Sequence, residues 1–533
     1  MKIAAVIPAR AGSKGIPNKN IRLLAGKPMV SYVIDNAVRS RFIDDVIVTT
    51  DSSAVKTIAK QIGARVIDRA ECLCRDEVTL DAVVFDAVKD VDCDIVVTMQ
   101  PTSPTLNVET LDAAIQHFIN ADLDTLISAH NAPHLAWTND SAGTLIPLYD
   151  KRLNRQYLPP HYEETGAFVI SRRSVVTEKS RIGKNVAVFP LSDSESVDVD
   201  DFSDLLTVSM VLESRKVAIY VNGNNRRGLG HVYRALELAD EFFLKPDIFY
   251  DVNQTDVKIF GETTHNLIGV NGIGELLQVL RNNQYSILIN DILSTSIDYM
   301  IAVRTALPRA KIINFEDDGE GAEKADAVFN ALFSECDAHN VFAGEKYYIA
   351  SKLFSYYNPI TINEKVKKVF ISFGGADPQN YSDRLLRIVS KEAYSGYDFK
   401  VVLGRAKLNA DELLGYNRYP NISVYKDIEN MPEIMHMCDI GITSRGRTGY
   451  ELALLGVPSI AMAQNKREEK HGFVCDENGF SYLGLNPTDT IIEGTLRGYL
   501  EMSVVDRKRY QDLLLSHDLR NGRSRVMNII NAK

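Results

Sequence analysis

The sequence predicts an α/β protein of three units, each built on a mainly parallel sheet. Short apolar runs alternate with amphipathic stretches of helical length, which favours parallel strands joined by helices. The pattern restarts twice along the 533 residues, and each restart opens with an apolar strand that runs into a glycine-rich turn. At roughly 100–200 residues per domain this length allows several cores. We therefore predict domains at 1–214, 216–355 and 365–533.

The elements follow from apolar runs and their flanking breakers. In the first domain the predicted elements are strand 3–7, helix 29–39, strand 45–50, helix 55–62, strands 94–99, 125–129 and 166–171, and helix 202–213. The second domain opens with strand 216–221 and helix 232–242, and the third with strand 367–373. A polar stretch at 356–368 is the predicted hinge between them.

Composition limits the partners and the compartment. Sixty Lys and Arg against 70 Asp and Glu give a formal net charge of −10, which argues against nucleic acid or an anionic membrane as the main partner. Six scattered cysteines without a C-x-x-C pair are typical of a reducing compartment, and Cys72 and Cys74 are weak evidence for zinc. There is no secretory apolar run and no membrane-length run, so we expect a soluble cytoplasmic protein.

The first glycine-rich turn, residues 8–20, follows the first strand. Open α/β sheets bind ligands at the carboxyl ends of their strands. The turn offers two glycines for close backbone approach to an anion and three cations: Gly12 and Gly15, with Arg10, Lys14 and Lys19. This combination suits a triphosphate that releases pyrophosphate, with a solvated basic turn as the structural alternative.

Two common nucleotide motifs are absent from this turn. A phosphate-binding G-x-x-x-x-G-K-[ST] fails because Gly26-Lys27 runs into Pro28, and there is no G-x-G-x-x-G. The hypothesis of a dinucleotide-dependent dehydrogenase therefore lacks its main sequence evidence. Asp51 ends the second strand where such enzymes bind ribose, but with Ser52 it is better explained as a helix cap.

A pair of carboxylates predicts a metal site. In the run 196–200, Asp198 and Asp200 are two residues apart, so on a strand they would share one face, roughly 6.5–7 Å from each other. Oxygen ligands favour Mg²⁺ or Mn²⁺, which bridges protein and triphosphate. The alternative is an acidic strand edge that continues into Asp201 and Asp204.

The motifs of the first domain, taken in order, resemble the CMP-sialic acid synthetase (N-acylneuraminate cytidylyltransferase) family. The matching residues are Arg10, Gly12, Ser13, Lys14, Gly15, Lys19 and Asn20; Arg69, Leu73 and Asp76; Gln100 to Pro104; Arg155 to Pro159; Tyr162 to Phe168; and Asp198 to Asp200. Two positions depart from the family pattern. Thr105-Leu106 replaces a Leu-Arg, and Thr165 replaces an asparagine, both near the expected sugar pocket.

This resemblance implies transfer of a cytidylyl group from CTP to a nonulosonic acid, an α-keto sugar acid. Arg10, Lys14 and Lys19 would hold the phosphates, and Asp198 with Asp200 the metal. The remaining expected contacts are Ser13 and Asn20 to the nucleotide, Arg69 to the cytidine side, and Gln100, Arg155 and Gln156 to the sugar acid, where the arginine fork suits a carboxylate. The resemblance also implies a homodimer through this domain. Which nonulosonic acid is activated stays open.

The second glycine-rich turn, residues 222–231, leads into a helix. Gly228 and Gly230 allow a tight turn at a helix amino terminus, which favours anions. His231 stands at that terminus, where the positive dipole end favours the neutral imidazole, a form able to act as general base on water. The structural alternative is a histidine that only packs.

The carboxy-terminal domains resemble the UDP-sugar hydrolase of pseudaminic acid biosynthesis, itself similar to MurG-type GT-B glycosyltransferases. The matching residues are Gly228, Gly230, His231 and Arg234; Phe373 to Pro378; Ser444 to Glu451; and Leu455 to Pro458. The resemblance implies that Glu451 binds ribose and that Ser444, Gly446 and Thr448 hold the diphosphate. Gln464, Asn465 and His471 are further candidates. Arg445 and Arg447 replace usually small residues, so they either pair with phosphate or exclude the donor.

Together these resemblances predict a Rossmann-like nucleotidyltransferase domain followed by a GT-B-like pair of Rossmann-like domains. The implied function is bifunctional: CTP and a nonulosonic acid for the first domain, and hydrolysis of a UDP-linked amino sugar for the second half. Two alternatives for the second half stay open, a glycosyltransferase and a non-catalytic binding or dimerisation module.

Overall fold

The computed structural model describes residues 1–12, 15–223, 230–333, 338–426, 428 and 430–532. The chain forms two compact units, Met1–Ser214 and Arg215–Lys533, which we call unit 1 and unit 2. Unit 2 contains both of the predicted carboxy-terminal domains. Of the sequence-based expectations, Ser13, Lys14 and Gly228 lie outside the described residues, so nothing is reported of their surroundings.

Unit 1 alternates strands with helices. Its strands are β1 (Ile3–Pro8), β2 (Leu23–Leu24), β3 (Lys27–Pro28), β4 (Asp45–Thr50), β5 (Arg65–Asp68), β6 (Ile95–Thr98), β7 (Thr125–Asn131), β8 (Trp137–Asn139), β9 (Leu145–Pro147), β10 (Tyr162–Arg172) and β11 (Val186–Pro190). Its helices are α1 (Met29–Arg39), α2 (Ser53–Ile62), α3 (Leu80–Val88), α4 (Val108–Asn120) and α5 (Phe202–Glu213).

The main sheet of unit 1 has the strand order β11-β7-β10-β6-β1-β4-β5 within the described residues. All neighbouring pairs are parallel except those that β10 makes with β6 and β7. The inner strands are apolar on both faces, as in β1, where Ala5, Val6 and Ile7 are fully buried. The predicted α/β fold is confirmed, and the carboxyl ends of β1, β4 and β6 meet at one edge.

Local chemistry explains where the helices of unit 1 begin and end. The Ser52 side chain accepts a hydrogen bond from the Val55 amide at the start of α2, and Gly63, at φ 103°, closes its end. Asp201 and Asp204 form a capping box at the start of α5. These two acids therefore cap a helix and do not belong to an acidic strand edge.

The strand predicted over 196–200 is wrong. These residues form no strand. The Val199 amide donates a hydrogen bond to the Thr102 carbonyl, outside any pairing of strands. Alternation of polar and apolar residues marks an extended chain, but a strand also needs a paired neighbour. Asp198 and Asp200 consequently lie in different surroundings, the first half-buried and the second exposed.

Unit 2 contains two parallel sheets. The first uses β12 (Val217–Val221), β13 (Asp247–Asp251), β14 (Asn266–Val270), β15 (Ile287–Asp291), β16 (Lys311–Phe315), β17 (Ala327–Asn330) and β18 (Val341–Ala343), with helices α6 (Gly230–Ala239), α7 (Gly272–Asn283) and α8 (Ile297–Ala306). The spatial order of the described strands is β14-β13-β12-β15-β16-β17-β18. The ends of β12, β15 and β16 therefore lie side by side.

The second sheet of unit 2 uses β19 (Lys368–Ser372), β20 (Asp398–Leu403), β21 (Ile422–Lys426), β22 (Ile440–Ser444), β23 (Ser459–Ala463) and β24 (Phe480–Leu485). Its described strands have the order β21-β20-β19-β22-β23-β24 and are all parallel. The helices are α9 (Tyr381–Val389), α10 (Ala410–Leu413), α11 (Met431–His436), α12 (Arg447–Leu454), α13 (Asp489–Leu500), α14 (Val504–Leu515) and α15 (Gly522–Asn531). Two Rossmann-like sheets in one unit fit the predicted GT-B-like pair.

The last helix departs from the predicted domain range 365–533. Val526, Met527 and Ile530 of α15 pack into the core of the first sheet of unit 2, not the second. Arg523 also donates to the Glu237 carbonyl of α6. The chain thus returns to the earlier subdomain at its end, a long-range contact that strand and helix periodicity does not indicate.

The described part of the chain shows neither of two kinds of feature, membrane-spanning helices and clusters of metal ligands. There, no helix is both long and apolar enough to cross a membrane. The same residues hold no group of three or more His, Cys, Asp or Glu side chains arranged to bind a metal, and this includes Cys72 and Cys74.

Candidate active sites

The glycine-rich turn of unit 1 is held in place by its own polar groups. Asp51, at the end of β4, accepts a hydrogen bond from the Ala11 amide at 2.7 Å, so it anchors the turn while Ser52 alone caps α2. The Asn20 amide donates to the Arg10 carbonyl at 2.9 Å, and the Arg10 guanidinium pairs with Asp76 at 2.7 Å. Asn20 thus fixes the shape of the turn rather than facing open space.

The turn converges with the Asp198–Asp200 segment. Lys19 Nζ donates to the Val199 carbonyl at 2.5 Å and lies 3.4 Å from Asp200 Oδ1. A Cβ on Gly15 would stand 2.7 Å from the Asp200 carbonyl oxygen, so this approach requires glycine. Gly12, by contrast, is exposed and has open space around it. Residues 180 positions apart in sequence are therefore brought to one edge of the sheet.

Asp198 carries a buried oxygen with no hydrogen-bond partner among the described residues, its Oδ1. Burial, together with the nearby charge of Asp200, raises the pKa of Asp198 above its ordinary value. Its carboxylate lies against Gly166, where an added Cβ would stand 3.0 Å from Oδ2 and 3.2 Å from Gln100 Nε2. A partly buried carboxylate with one oxygen left without a donor fits a cation ligand.

The other residues predicted for unit 1 are more separated. Arg69 is buried, and its guanidinium donates to the Thr49 carbonyl at 2.8 Å; burial lowers its pKa. Arg155 and Gln156 lie on an exposed turn, Arg155–Tyr157. Within the described ranges, no hydrogen bond or ion pair joins these two side chains to the glycine-rich turn or to Asp198. Among the described residues, the structure brings Gly15 and Lys19 to Asp200 but does not bring this sugar-acid pair to them.

Unit 2 contains a cleft of about 620 Å³. The lining comes from both of its sheets, and it includes the described candidates from each: Gly230, His231, Ser444, Gly446, Thr448 and Glu451. Gln464 and His471 also line it, whereas the Asn465 side chain accepts from the backbone amides of Arg467 and Glu468. Residues more than 200 positions apart therefore line one cavity.

His231 is fixed by a carboxylate that sequence reasoning missed. Its Nδ1 is hydrogen-bonded to Asp291, the fully buried last residue of β15. Arg234, one turn later on α6, donates to both oxygens of Asp291 at 2.6 and 2.7 Å. Burial would raise the pKa of Asp291, but Arg234 and His231 outweigh it and hold that pKa below its ordinary value. Because Nδ1 is occupied, the ring nitrogen available to a substrate is Nε2.

Glu316 completes this buried group of charges. It follows β16 directly, pairs with Arg234, and has a pKa held well below its usual range because Arg234 outweighs the effect of burial. Asp291 and Glu316 end neighbouring strands, so their convergence follows from the sheet order. A signal existed in the sequence, since each is an acid at the end of an apolar run. A single sequence does not indicate that these two acids lie beside His231 and Arg234.

The opposite wall carries two carboxyls with shifted protonation. Burial raises the pKa of Glu451 to about 7, with Arg447 opposing the shift. Burial also raises the pKa of Glu468 to about 7. The Gln464 amide nitrogen donates to the Phe373 carbonyl at 2.5 Å, which leaves its Oε1 as a buried acceptor without a partner among the described residues. This wall therefore offers acceptors for ligand hydroxyl or amide groups.

Two comparisons identify unit 1. Residues 4–186 match a family described as Cytidylyltransferase. The CMP-N,N'-diacetyllegionaminic acid synthase of Legionella pneumophila is 31% identical over 231 residues, which cover 41% of this chain and 100% of that protein. The chain belongs to the cytidylyltransferase family. An N-acylneuraminate cytidylyltransferase of Streptococcus agalactiae is 33% identical over 217 residues, or 39% of this chain and 52% of that protein.

Two facts limit how far these likenesses reach. The chain spans about half the length of the first curated relatives it matches. The matched region covers 57% of one relative and 52% of the next. Among solved structures, MurG of Acinetobacter baumannii is 11% identical, with a TM-score of 0.43 and coverage of 59% of this chain and 99% of that chain. A likeness so distant has no bearing on the activity of unit 2.

Proposed function

We propose that unit 1 transfers the cytidylyl group of CTP to a nonulosonic acid. The anomeric hydroxyl oxygen of the sugar acid forms a bond to the α-phosphorus, and its proton passes to solvent water. The bond from that phosphorus to the bridging oxygen breaks, and pyrophosphate leaves with the electron pair. The observation that carries this proposal is the contact of the glycine-rich turn with Val199 and Asp200 through Lys19 and Gly15.

The residues of the turn have distinct tasks in this reaction. Arg10, Lys14 and Lys19 supply positive charge where the leaving pyrophosphate gains negative charge. Gly12 and Gly15 let backbone amides approach the phosphates, and Ser13 contacts the nucleotide. Asp51 and Asn20 hold the turn in the required shape. Arg69 belongs to the cytidine side.

Asp198 and Asp200 fit a Mg²⁺ or Mn²⁺ ion. Asp198 has an orphaned buried oxygen, and Asp200 is an exposed carboxylate beside the same turn. Two carboxylates are a small protein ligand set, which suits an ion whose other ligands are phosphate oxygens and water. When bound, the ion neutralises phosphate charge and polarises the reacting phosphorus.

The acceptor sugar is assigned only as a class. Gln100 lies beside Asp198, and Arg155 with Gln156 would contact the sugar carboxylate from the exposed turn. Thr165, where the resembling family has asparagine, is buried, and its hydroxyl donates to Ser128 at 2.8 Å, so this hydroxyl is already bonded within the protein. Sialic, legionaminic and pseudaminic acids are the candidates.

The test follows pyrophosphate release from CTP and Mg²⁺ with these three acids. We expect turnover with one or more of them, lost in Asp200→Ala. Asp193→Ala is the matched control, because that aspartate is 99% exposed and pairs only with His130 among the described residues. No turnover with any acid, or full turnover in Asp200→Ala, would contradict the assignment.

A homodimer through unit 1 is part of the same proposal. The segment 137–162 exposes large apolar side chains, among them Trp137 (50%), Leu145 (62%), Leu148 (63%) and Tyr157 (68%). Exposed apolar clusters mark interaction surfaces. A second copy covering this segment would also bring Arg155 and Gln156 close to residues of that copy. Sedimentation should give a dimer, and Leu148→Glu with Tyr157→Glu should give a monomer; a wild-type monomer contradicts the proposal.

We propose that unit 2 hydrolyses a UDP-linked amino sugar. Water forms a bond to the anomeric carbon as its proton passes to His231 Nε2. The bond from that carbon to the β-phosphate oxygen breaks, and UDP leaves with the electron pair. The observation that carries this proposal is the orientation of His231 by buried Asp291 at the wall of a cleft whose opposite side holds Ser444 and Glu451.

The nucleotide would occupy the second sheet's side of the cleft. Gly446 is the residue before α12, so backbone amides of the first helical turn face the diphosphate. Ser444 and Thr448 offer hydroxyl donors, and Glu451 accepts from the ribose. Gly230 starts α6 on the facing side, next to His231.

The test measures UDP release from UDP-linked diacetamido sugars. His231→Ala should lower the rate by roughly 10²–10⁴, the usual worth of a general base. His265→Ala is the control, because that ring also contacts an aspartate, Asp240, but does not line the cleft. Release that persists in His231→Ala contradicts the base assignment. Release only with an added acceptor favours a glycosyltransferase, and none with any donor favours a binding module.

A further inference from the structure

Arg445 and Arg447 are two residues apart yet point to different places. Arg445 turns away from the cleft: its guanidinium donates to the carbonyls of Val474 and Glu469, both at 2.9 Å, and lies 4.0 Å from the centre of the Tyr482 ring. Arg447 lines the cleft and reaches toward the His231 side. The two arginines that sequence analysis treated alike therefore have separate roles.

Arg447 links the two walls of the cleft. Arg447 is the first residue of α12, so its backbone lies in the predicted diphosphate-binding turn. Its side chain passes Gly230 so closely that a Cβ there would stand 3.0 Å from Arg447 Cδ. The guanidinium ends 3.8 Å from Glu316 Oε1 and donates to the Ile349 carbonyl at 3.3 Å.

The contact with Glu316 is weak and replaceable. Glu316 already has a closer partner in Arg234, which is only 4% exposed, so it does not depend on Arg447 for neutralisation. Arg447 keeps 24% of its side chain exposed, and its distance to Glu316 is longer than a hydrogen bond. A doubly charged diphosphate in the same cleft would form shorter, bidentate bonds to the guanidinium.

We propose that Arg447 is the diphosphate-binding and leaving-group residue of unit 2, and that it exchanges Glu316 for the phosphates when the nucleotide sugar binds. This inference rests on the proposed function of unit 2. It assigns the cation that stabilises the negative charge developing on UDP, a guanidinium that extends from α12 to the His231 side of the cleft, next to Gly230 and Glu316. Of the two roles that the sequence left open for Arg447, pairing with phosphate or excluding the sugar donor, the proposal takes the first. An arginine with the second role would fill the same space without binding the donor.

The test measures binding of UDP and of uridine to the full-length chain by calorimetry. We expect Arg447→Ala and Arg447→Gln to weaken UDP binding by about tenfold to a hundredfold, the worth of a hydrogen bond to a charged group. Uridine binding should stay within twofold, because uridine has no phosphate. Arg447→Lys should fall between them, since lysine keeps the charge but not the fork.

Arg445→Ala is the matched control and should bind UDP like the wild type. If Arg447→Ala binds UDP as well as or better than the wild type, Arg447 only fills the cleft and the inference is overturned. An equal loss of UDP and uridine binding would also overturn it, as a general structural effect. A wild type that binds no UDP overturns the proposed function of unit 2, whereas UDP binding that ignores Arg447 overturns this inference alone.

Discussion

The two candidate sites place their charges in different environments. In unit 1, Asp200 is 82% exposed, and Asp198 has an oxygen without a hydrogen-bond partner among the described residues, so both carboxylates are able to bind a cation. In unit 2, Asp291 is 0% exposed and bonded to both His231 and Arg234, so charge is neutralised within the protein. The first arrangement suits a site that binds a metal and a triphosphate. The second suits a site that must hold one imidazole in one orientation.

Asp291→Asn should have the largest effect on this comparison. An amide at position 291 presents a donor as well as an acceptor to Nδ1, so it no longer selects the imidazole with a free Nε2. We expect kcat for UDP-sugar hydrolysis to fall by roughly 10²–10⁴, with KM and UDP affinity nearly unchanged. The pH dependence of kcat should also shift. An unchanged kcat and pH profile would show that Asp291 does not position His231.

Arg234→Met tests the claim that the charges of unit 2 are neutralised internally. It leaves Asp291 and Glu316 buried without their cation, so the free energy of unfolding of unit 2 should fall by about 3–5 kcal/mol. Urea unfolding followed by circular dichroism measures this loss. The single tryptophan, Trp137, lies in unit 1, so its fluorescence transition should not move.

The acid dependence of the same variant has a definite sign. Asp291 and Glu316 have folded-state pKa values below their ordinary ones, so their stabilising effect is full above about pH 5 and is lost as pH falls further. The penalty of Arg234→Met should therefore shrink in acid. Arg304→Met, which breaks a half-exposed pair with Asp326, is the control and should cost at most about 1 kcal/mol. Equal losses in both variants would contradict the account.

Asp198→Asn gives the smallest expected change and tests the open character of unit 1. Burial raises the folded-state pKa of Asp198, so its ionised form lowers stability once pH rises above its ordinary pKa. At neutral pH the variant should melt at the same temperature or a few degrees higher, read by Trp137 fluorescence. Mg²⁺ with CTP should raise the melting temperature of the wild type and of Asp193→Asn, but not of Asp198→Asn. An equal rise in all three excludes Asp198 as a ligand.

Local patterns in the sequence predict much of the fold. Helices 29–39 and 202–213 and strand 45–50 have the predicted bounds, because each is a continuous apolar pattern with a clear breaker or cap at its ends. The strand at 196–200 fails because period-two alternation needs a partner that local sequence does not specify. The return of α15 to the earlier subdomain is likewise a long-range choice.

The same distinction applies to the sites. Contiguous motifs place the turn of unit 1 and the residues 444–451 of unit 2 correctly at strand ends. Asp291 lies 60 residues from His231, and Glu316 lies 82 from Arg234, so only the strand order brings them together. Arg445 and Arg447 are two residues apart in one motif, and only the structure shows that the first packs on Tyr482 while the second lines the cleft.

If one chain carries two separate sites, each activity should be lost without the other, and a pair of variants tests this. Pyrophosphate release from CTP with a nonulosonic acid and UDP release from a UDP-sugar should be measured on the same preparations of Asp200→Ala and His231→Ala. We predict that Asp200→Ala loses only the first activity and His231→Ala only the second. Loss of both activities in either variant, or of neither in both, would contradict the account.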